Sequence, residues 1–263
     1  MNRLHKAISN VHTLDDLSNR NIPINKIHPV IKLISVILYI FVTLSFHRYA
    51  LTGVLGMLIL PIILFQFSDI SILECTLQFK SVLLLLFFIG IANVFFDTAP
   101  LFKILSIPIT SGWISLCVLI LKGMICFWMM YILIATTGME SLCAALQRIH
   151  CPKILVTTIL LTYRYLLVLL QESNRISLAY ALRAPGQKGI AIKAWGSLVG
   201  QLLLRSMDRA QLVYESMLLR GFQGNFHYHA TYKKHSLWFL MIVIVYCILF
   251  RMFPVLEWIG GML

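Results

Sequence analysis

The chain has 263 residues, of which 59% are hydrophobic and only 12% charged, whereas an ordinary soluble domain carries charge on about a quarter of its residues. That balance excludes a soluble enzyme or binding module and indicates a membrane protein. The 22 Lys and Arg against 10 Asp and Glu, a formal charge of +12, then read as basic cytoplasmic segments facing anionic headgroups, not as a nucleic-acid surface.

Residues 1–29 form a polar N-terminal segment with neither the apolar core nor the small-residue cleavage site of a signal peptide, so it is expected to be part of the mature protein, and its basic charge places it in the cytoplasm. Crossing the hydrocarbon takes roughly 20 apolar residues, or a few fewer when flanking Lys and Arg snorkel. Four such runs follow, at 30–46, 50–67, 81–96 and 114–136, making 30–137 a set of four transmembrane helices. Pro61 should kink the second. Lys122 in the fourth should face protein or an interface and not lipid. A last span, from 236 to about 253, takes the chain out again, so that 236–263 is a final helix with a short external tail. The six cysteines, Cys75, Cys117, Cys126, Cys143, Cys151 and Cys247, include no CxxC pair and read as small buried hydrophobes.

The stretch 154–171, ILVTTILLTYRYLLVLLQ, is apolar enough to be another span. Charge argues against it. Between Glu172 and His235 lie nine Lys and Arg against three acidic residues, and the segment up to Lys32 has five against two. The positive-inside tendency puts both on the cytoplasmic side, with an even number of crossings between them. Tyr163, Arg164 and Tyr165 at the centre of the stretch are also costly in lipid. Residues 138–235 are therefore expected as a cytoplasmic block of three helices, 139–150, 152–182 and 195–220, the second long and partly apolar. The whole reads as an all-α membrane protein with about five transmembrane helices plus this block.

Within the block, Glu172 with Arg175 and Arg205 with Asp208 stand at i,i+3 and are candidates for pairing along a helix. Two of the helices end alike. One closes on Leu182, Arg183 and Ala184 before Pro185 and Gly186, the other on Leu219, Arg220 and Gly221. Either ending alone reads as plain capping, because a basic residue complements the helix dipole and glycine supplies the left-handed turn. Two of them in one block suit insertion of a rigidly presented arginine into a groove on a partner.

Residues 136–224 resemble the transmembrane T component of energy-coupling factor transporters, most closely the CbiQ branch that serves cobalt uptake. The resemblance rests on WGSLVGQLLLRSMDRAQLVYESMLLRGFQG at 195–224, IHPVIKL at 27–33, TTGMESLCAALQRIHCPK at 136–153 and YRY at 163–165. Where the family often shows Ala-Arg-Gly, this chain has Leu-Arg-Ala-Pro-Gly and Leu-Leu-Arg-Gly, with arginine kept in both. The resemblance implies coupling helices whose ends, at Arg183, Ala184 and Gly186 and at Arg220 and Gly221, dock on two CbiO-like ATPase subunits. It also implies a CbiM-like S component that holds the substrate, with a small CbiN-like subunit alongside. ATP and magnesium would then bind in the partners, and this chain, in a bacterial or archaeal cytoplasmic membrane, would be a scaffold without cofactor or catalysis, for cobalt or alternatively for nickel or a vitamin.

The residues themselves agree with that division. No GxxxxGK[ST] cradle is present, and GQKG at 186–189 is too short and follows no strand. His227, Tyr228, His229 and nearby His235 are weak ligand geometry, explained as well by interfacial aromatics. His28 before Pro29 reads as a helix start. A membrane-embedded enzyme would need polar groups converging in the spans, which offer Asn93, Lys122 and scattered Ser and Thr. A stand-alone permease would want paired intramembrane charges or broken helices in matching halves, and the four spans show no internal repeat.

Overall fold

The computed structural model describes residues 22–68, 70–96, 100–104, 107–184, 186–187, 189–224 and 236–252, with 13, 16–18 and 20. In chain order its elements are a 3-10 turn Ile24–Lys26, helices α1 Pro29–Leu44, α2 Leu51–Ser68 and α3 Ile72–Phe96, strands β1 Pro100–Ile104 and β2 Ile107–Thr110, then α4 Ser111–Thr137, α5 Met139–Arg148, α6 Lys153–Arg183, α7 Ile192–Leu219 and α8 Leu237–Met252. The class is all-α, with one antiparallel hairpin that pairs Ile104 with Ile107 and Lys103 with Pro108 and is irregular between Pro100 and Phe102. The helix limits follow the apolar runs to within a few residues. The exception is α3, which begins at Ile72 because the polar turn before Lys80 continues the helix. The chain divides into two compact units, one of 18–137 with 231–263 and one of 138–230 with 1–17.

In the first unit α4 packs on α1, α2 and α3, and α8 packs on α1 and α2. Tyr39, Met57, Phe65, Phe79, Ile125 and Met129 are fully buried between these helices. Phe65 meets Trp128 edge to face at 5.5 Å, an arrangement that aromatic quadrupoles favour. Around this core the outward faces are apolar as well: Phe41, Leu73, Phe88 and Trp238 are all exposed. A helix hydrophobic all round is one that meets lipid.

The proline inside α2 shows how the unit solves its backbone chemistry. Pro61 lacks an N–H, so the carbonyl of Met57, four residues earlier, loses its helical partner. The buried hydroxyl of Tyr39 on α1 donates to that carbonyl. One residue further back, Tyr246 of α8 donates to the Gly56 carbonyl at 2.6 Å. The helix thus runs on through Pro61 with Tyr39 standing in for the missing bond, and Tyr246 adds a further donor one carbonyl earlier. Lys122 does the same for the end of α1: its Nζ donates to the carbonyls of Leu44 at 3.3 Å and Phe46 at 2.5 Å. Arg251 donates to Ser45 O at 3.2 Å. Lys122 accordingly faces protein.

Among the described residues three helices could cross a membrane by length and apolar composition, Leu51–Ser68, Gly112–Thr137 and Lys153–Arg183, whereas Pro29–Leu44, Phe79–Val94 and Leu237–Arg251 are shorter apolar segments. A helix such as α1 is about 24 Å long at 1.5 Å per residue, a length that can span a bilayer only with snorkelling ends and local thinning. Length and composition therefore do not separate α6 from the other apolar helices.

In the second unit α5 packs on α6, and α6 on α7. Cys143, Val156 and Leu160 form its small buried core, with Leu146, Cys151 and Ile159 against it. The α7 helix has no buried residue.

The Tyr39 contact yields a double test. Tyr39→Phe should cost about 1 kcal/mol, because it strands a carbonyl in an apolar setting. Pro61→Ala in the same chain should recover most of that loss, since residue 61 regains the N–H that Met57 needs. Thermal unfolding in detergent of the two single variants and the double one reads the coupling directly.

Candidate partner-docking site

The two arginine endings differ in construction. At the end of α7, Arg220 is the last residue with near-helical geometry, and Gly221 follows at φ +76°. The Gly221 N–H donates to Leu218 O at 2.9 Å and the Phe222 N–H to Met217 O at 3.0 Å. These are the two bonds of a Schellman turn, in which a residue in the left-handed region lets the chain fold back onto the last carbonyls. Phe222 and Met217 line the same apolar groove, supplying the hydrophobic contact that accompanies such turns. Exposed Arg220 is thus held on a rigid end beside Leu219, which is 89% exposed. The end of α5 uses the same two bonds, from His150 to Gln147 O and from Cys151 to Leu146 O. There His150 occupies the left-handed position at φ +66°, which is why the helix stops short of the predicted His150.

The end of α6 is fastened by a side chain. Ala184 donates back to Tyr180 O at 3.1 Å, and Gly186 lies at φ +89°; Pro185 lies outside the described residues. The Tyr180 hydroxyl donates to Gln187 Oε1 at 3.0 Å and accepts from the Ala191 N–H at 3.3 Å. A single tyrosine on the last turn of α6 thereby ties down the loop leading into α7. Arg183 is exposed and its neighbour Leu182 is 83% exposed. A large apolar side chain left in water beside a positioned arginine is the pattern of a surface awaiting a partner.

The helices run antiparallel. Glu172 of α6 pairs with Arg205 of α7, and Thr157, near the start of α6, donates to Gly224 O at 3.5 Å beyond the end of α7. Arg183 and Arg220 therefore stand at opposite ends of the pair, separated by about the 42 Å length of α7. They form two sites, not one. Between the helices lies a cleft of 660 Å³ whose walls include Tyr165, Glu172, Arg205, Arg209, Val213 and Arg220.

Of the predicted pairings, Glu172 with Arg175 forms at 3.6 Å. Arg205 turns to Glu172 and not to Asp208: reaching across to α6 neutralises a carboxylate that is 20% exposed, where the same bond to the exposed Asp208 would contribute little. Sequence reasoning missed this bridge, as well as Tyr180 and the 2.6 Å pair between Arg164 and Glu140 that joins α6 to α5. An i,i+3 search cannot find partners on different helices. Burial, with the Glu140 carboxylate beside it, raises the Cys143 thiol above its ordinary value, which makes it a packing residue and not a nucleophile.

Among the described residues no group of three or more His, Cys, Asp or Glu could hold a metal ion. His227, Tyr228, His229 and His235 lie outside the described residues. His28 caps α1, its Nδ1 accepting from the Val30 N–H at 3.2 Å ahead of Pro29 at the first helical position, a standard start.

The profile of the CbiQ family, described as cobalt transport protein, matches residues 20–232. The nickel permease LarQ of Lactiplantibacillus plantarum is 32% identical over 103 residues, 39% of this chain and 37% of the relative. The cobalt transport protein CbiQ of Salmonella typhimurium is 32% identical over 101 residues, 36% and 43% of the two chains. An uncharacterized protein of Methanocaldococcus jannaschii is 25% identical over 158 residues, 57% and 59%. The matches thus cover from 37% to 59% of these relatives' own lengths.

The glycines of α7 separate backbone need from spare room. Gly221→Val should cost about 1–2 kcal/mol, because a β-branched residue is forced into the left-handed region. Gly196→Ala and Gly200→Ala, with nothing within 4 Å of an added Cβ, should be neutral or stabilising by up to about 1 kcal/mol. Hydrogen exchange at the Phe222 amide, together with thermal unfolding, checks both.

Proposed function

This chain belongs to the CbiQ cobalt transport protein family, and from that premise we propose that it is the membrane coupling subunit, the T component, of an energy-coupling factor importer. The observation that carries the reading is the pair of exposed arginines, Arg183 and Arg220, each on a fastened helix end and standing at opposite ends of α6 and α7. Two ATPase subunits each need one handle. Arginine suits the role, since its planar fork of donors is always charged and loses little freedom on docking.

In this reading ATP and magnesium are held by the partners. Closure of the ATPase pair moves the two handles relative to each other, and α6 and α7 pass that displacement to a substrate-binding S component in the membrane. Residues 138–230 lie on the cytoplasmic side with the N-terminus, as the basic residues of both segments favour. This chain neither hydrolyses ATP nor selects the ion. Cobalt is the substrate the family description favours; nickel is the second reading, because LarQ, a nickel permease, matches at the same 32% identity as CbiQ of Salmonella typhimurium.

Charge reversal tests the handles. Arg183→Glu and Arg220→Glu should each weaken ATPase association by about tenfold or more, as hot-spot arginines do. The double variant should still insert in the membrane but lose the ATPases and transport. The check is a mild-detergent pulldown of wild-type and double-variant chains from native membranes, with co-purifying polypeptides identified by mass spectrometry. Recovery of ATPase subunits with the double variant, or normal uptake by it, rejects the assignment.

A further inference from the structure

On α7 the residues that line the cleft toward α6 include Leu202, Ser206, Val213 and Met217, spaced along one helical stripe and all partly buried. Arg209 takes the place in that stripe where an apolar residue would close the seam. The α6 wall there is Leu161, Tyr165 and Leu169, none of them charged. One turn earlier on α7, Arg205 meets Glu172. Arg209 meets no such carboxylate.

The charge in the cleft does not balance. Arg164, Arg205, Arg209 and Arg220 line it against Glu172 and Asp208. Glu172 is taken by Arg205, and Arg164 is taken by Glu140 of α5. Among the described residues neither an ion pair nor a hydrogen bond is found for Arg209 or for the Tyr165 hydroxyl. Both side chains also line a second cavity of 440 Å³ that continues the first, with Val213, Met217 and Phe222 among its other walls. A guanidinium and a phenol with donors unspent thus sit where a charged cleft turns apolar. A small anion would satisfy the donors and leave the apolar walls wet, whereas a purely apolar occupant would strand the arginine. A molecule with an anionic head and a hydrocarbon tail satisfies both.

We propose that the cleft between α6 and α7 holds an anionic phospholipid, its phosphate on the Arg209 guanidinium and the Tyr165 hydroxyl, with an acyl chain along Val213, Met217 and Phe222. Arginine offers phosphate oxygens a fork of donors, and basic pockets between apolar helices on the cytoplasmic side take anionic headgroups. Lipid has access to the site: α6 is apolar enough to cross a membrane, yet only 11% of its most apolar stretch is buried within the chain, and such a surface partitions to the bilayer or its interface. The bound lipid fills the space that leaves α7 without a buried residue. Neither an ATPase nor an S component takes part in this binding, which stands apart from the coupling role proposed above.

The test uses the full chain purified in mild detergent and titrated with dioleoylphosphatidylglycerol, with phosphatidylcholine of the same acyl chains, or with sodium phosphate, read by native mass spectrometry and thermal unfolding. Phosphatidylglycerol should be retained at least about fivefold more tightly than phosphatidylcholine, the worth of one basic residue beside an anionic headgroup, and should raise the melting temperature. Arg209→Gln should erase that preference, and because Arg209 makes no bond within the chain its loss removes none on which folding depends. Arg209→Lys should keep part of the preference, Tyr165→Phe should lower it, and Lys193→Gln, at the start of α7 outside the cleft, should leave it whole. Equal retention of the two lipids by the wild-type chain overturns the proposal. So does an equal loss in Lys193→Gln, which makes the preference a property of overall surface charge. Equal stabilisation by sodium phosphate alone rejects the lipid in favour of a free anion, and retention of neither lipid rejects it in favour of a protein occupant. Should Arg209→Gln fail to purify, Tyr165→Phe must lower the preference; an unchanged preference there rejects the site.

Discussion

Every backbone donor and acceptor in an apolar, lipid-facing unit must find its partner inside the protein, because hydrocarbon offers none. The first unit is organised around that demand. Its helices are closed on themselves except where a proline or a helix end breaks the ladder, and at Pro61 and at the ends of α1 and α4 a long polar side chain reaches in from a neighbour. Tyr39 and Tyr246 serve the carbonyls before Pro61; Lys122 and Arg251 serve the end of α1; Lys32 serves the end of α4. Three of these five are cations answering a helix C-terminus, where the dipole favours positive charge. The same bonds decide which helices are neighbours, so repair of the backbone and choice of packing are one operation.

The second unit is built on another principle. Its long helices bury little: the core is a cluster of Cys143, Val156 and Leu160 where α5 meets α6, and α7 contributes no buried residue. What it has instead is fastened ends. A Schellman turn closes α7, Tyr180 clamps the loop after α6, and Glu172 bridges to Arg205 between them. Partly exposed ion pairs add modest stability, so a pair of helices leaving Leu182, Ile192 and Leu219 above 80% exposed is incomplete alone. Rigid termini on an under-buried scaffold suit a part that works by being gripped, as the proposed coupling role requires.

Much of this was legible beforehand. Apolar runs bounded α1, α2 and α4 to within about three residues, a margin in which helix ends fray in any case. Gly221 announced the end of α7, because glycine in the left-handed region is the commonest way for a helix to stop. Lys122, expected to face protein or an interface, turns to the carbonyls at the end of α1. The start of α3 lies well before the expected residue 81, because polar residues extend a helix past its apolar stretch.

What the sequence by itself determined, then, was the set of helices, their apolar faces and the two arginine-bearing ends, since all of these follow from periodicity and capping within a few residues of chain. Only the tertiary structure decided the partnerships: Tyr39 with Met57, Lys32 with Thr136, Arg205 with Glu172 in place of Asp208, and Arg183 set a helix length away from Arg220. Each depends on which distant segment is brought alongside. A single lysine or tyrosine in an apolar run signals only that a partner is owed, and the packing of α1 against α4 and of α6 against α7 names it.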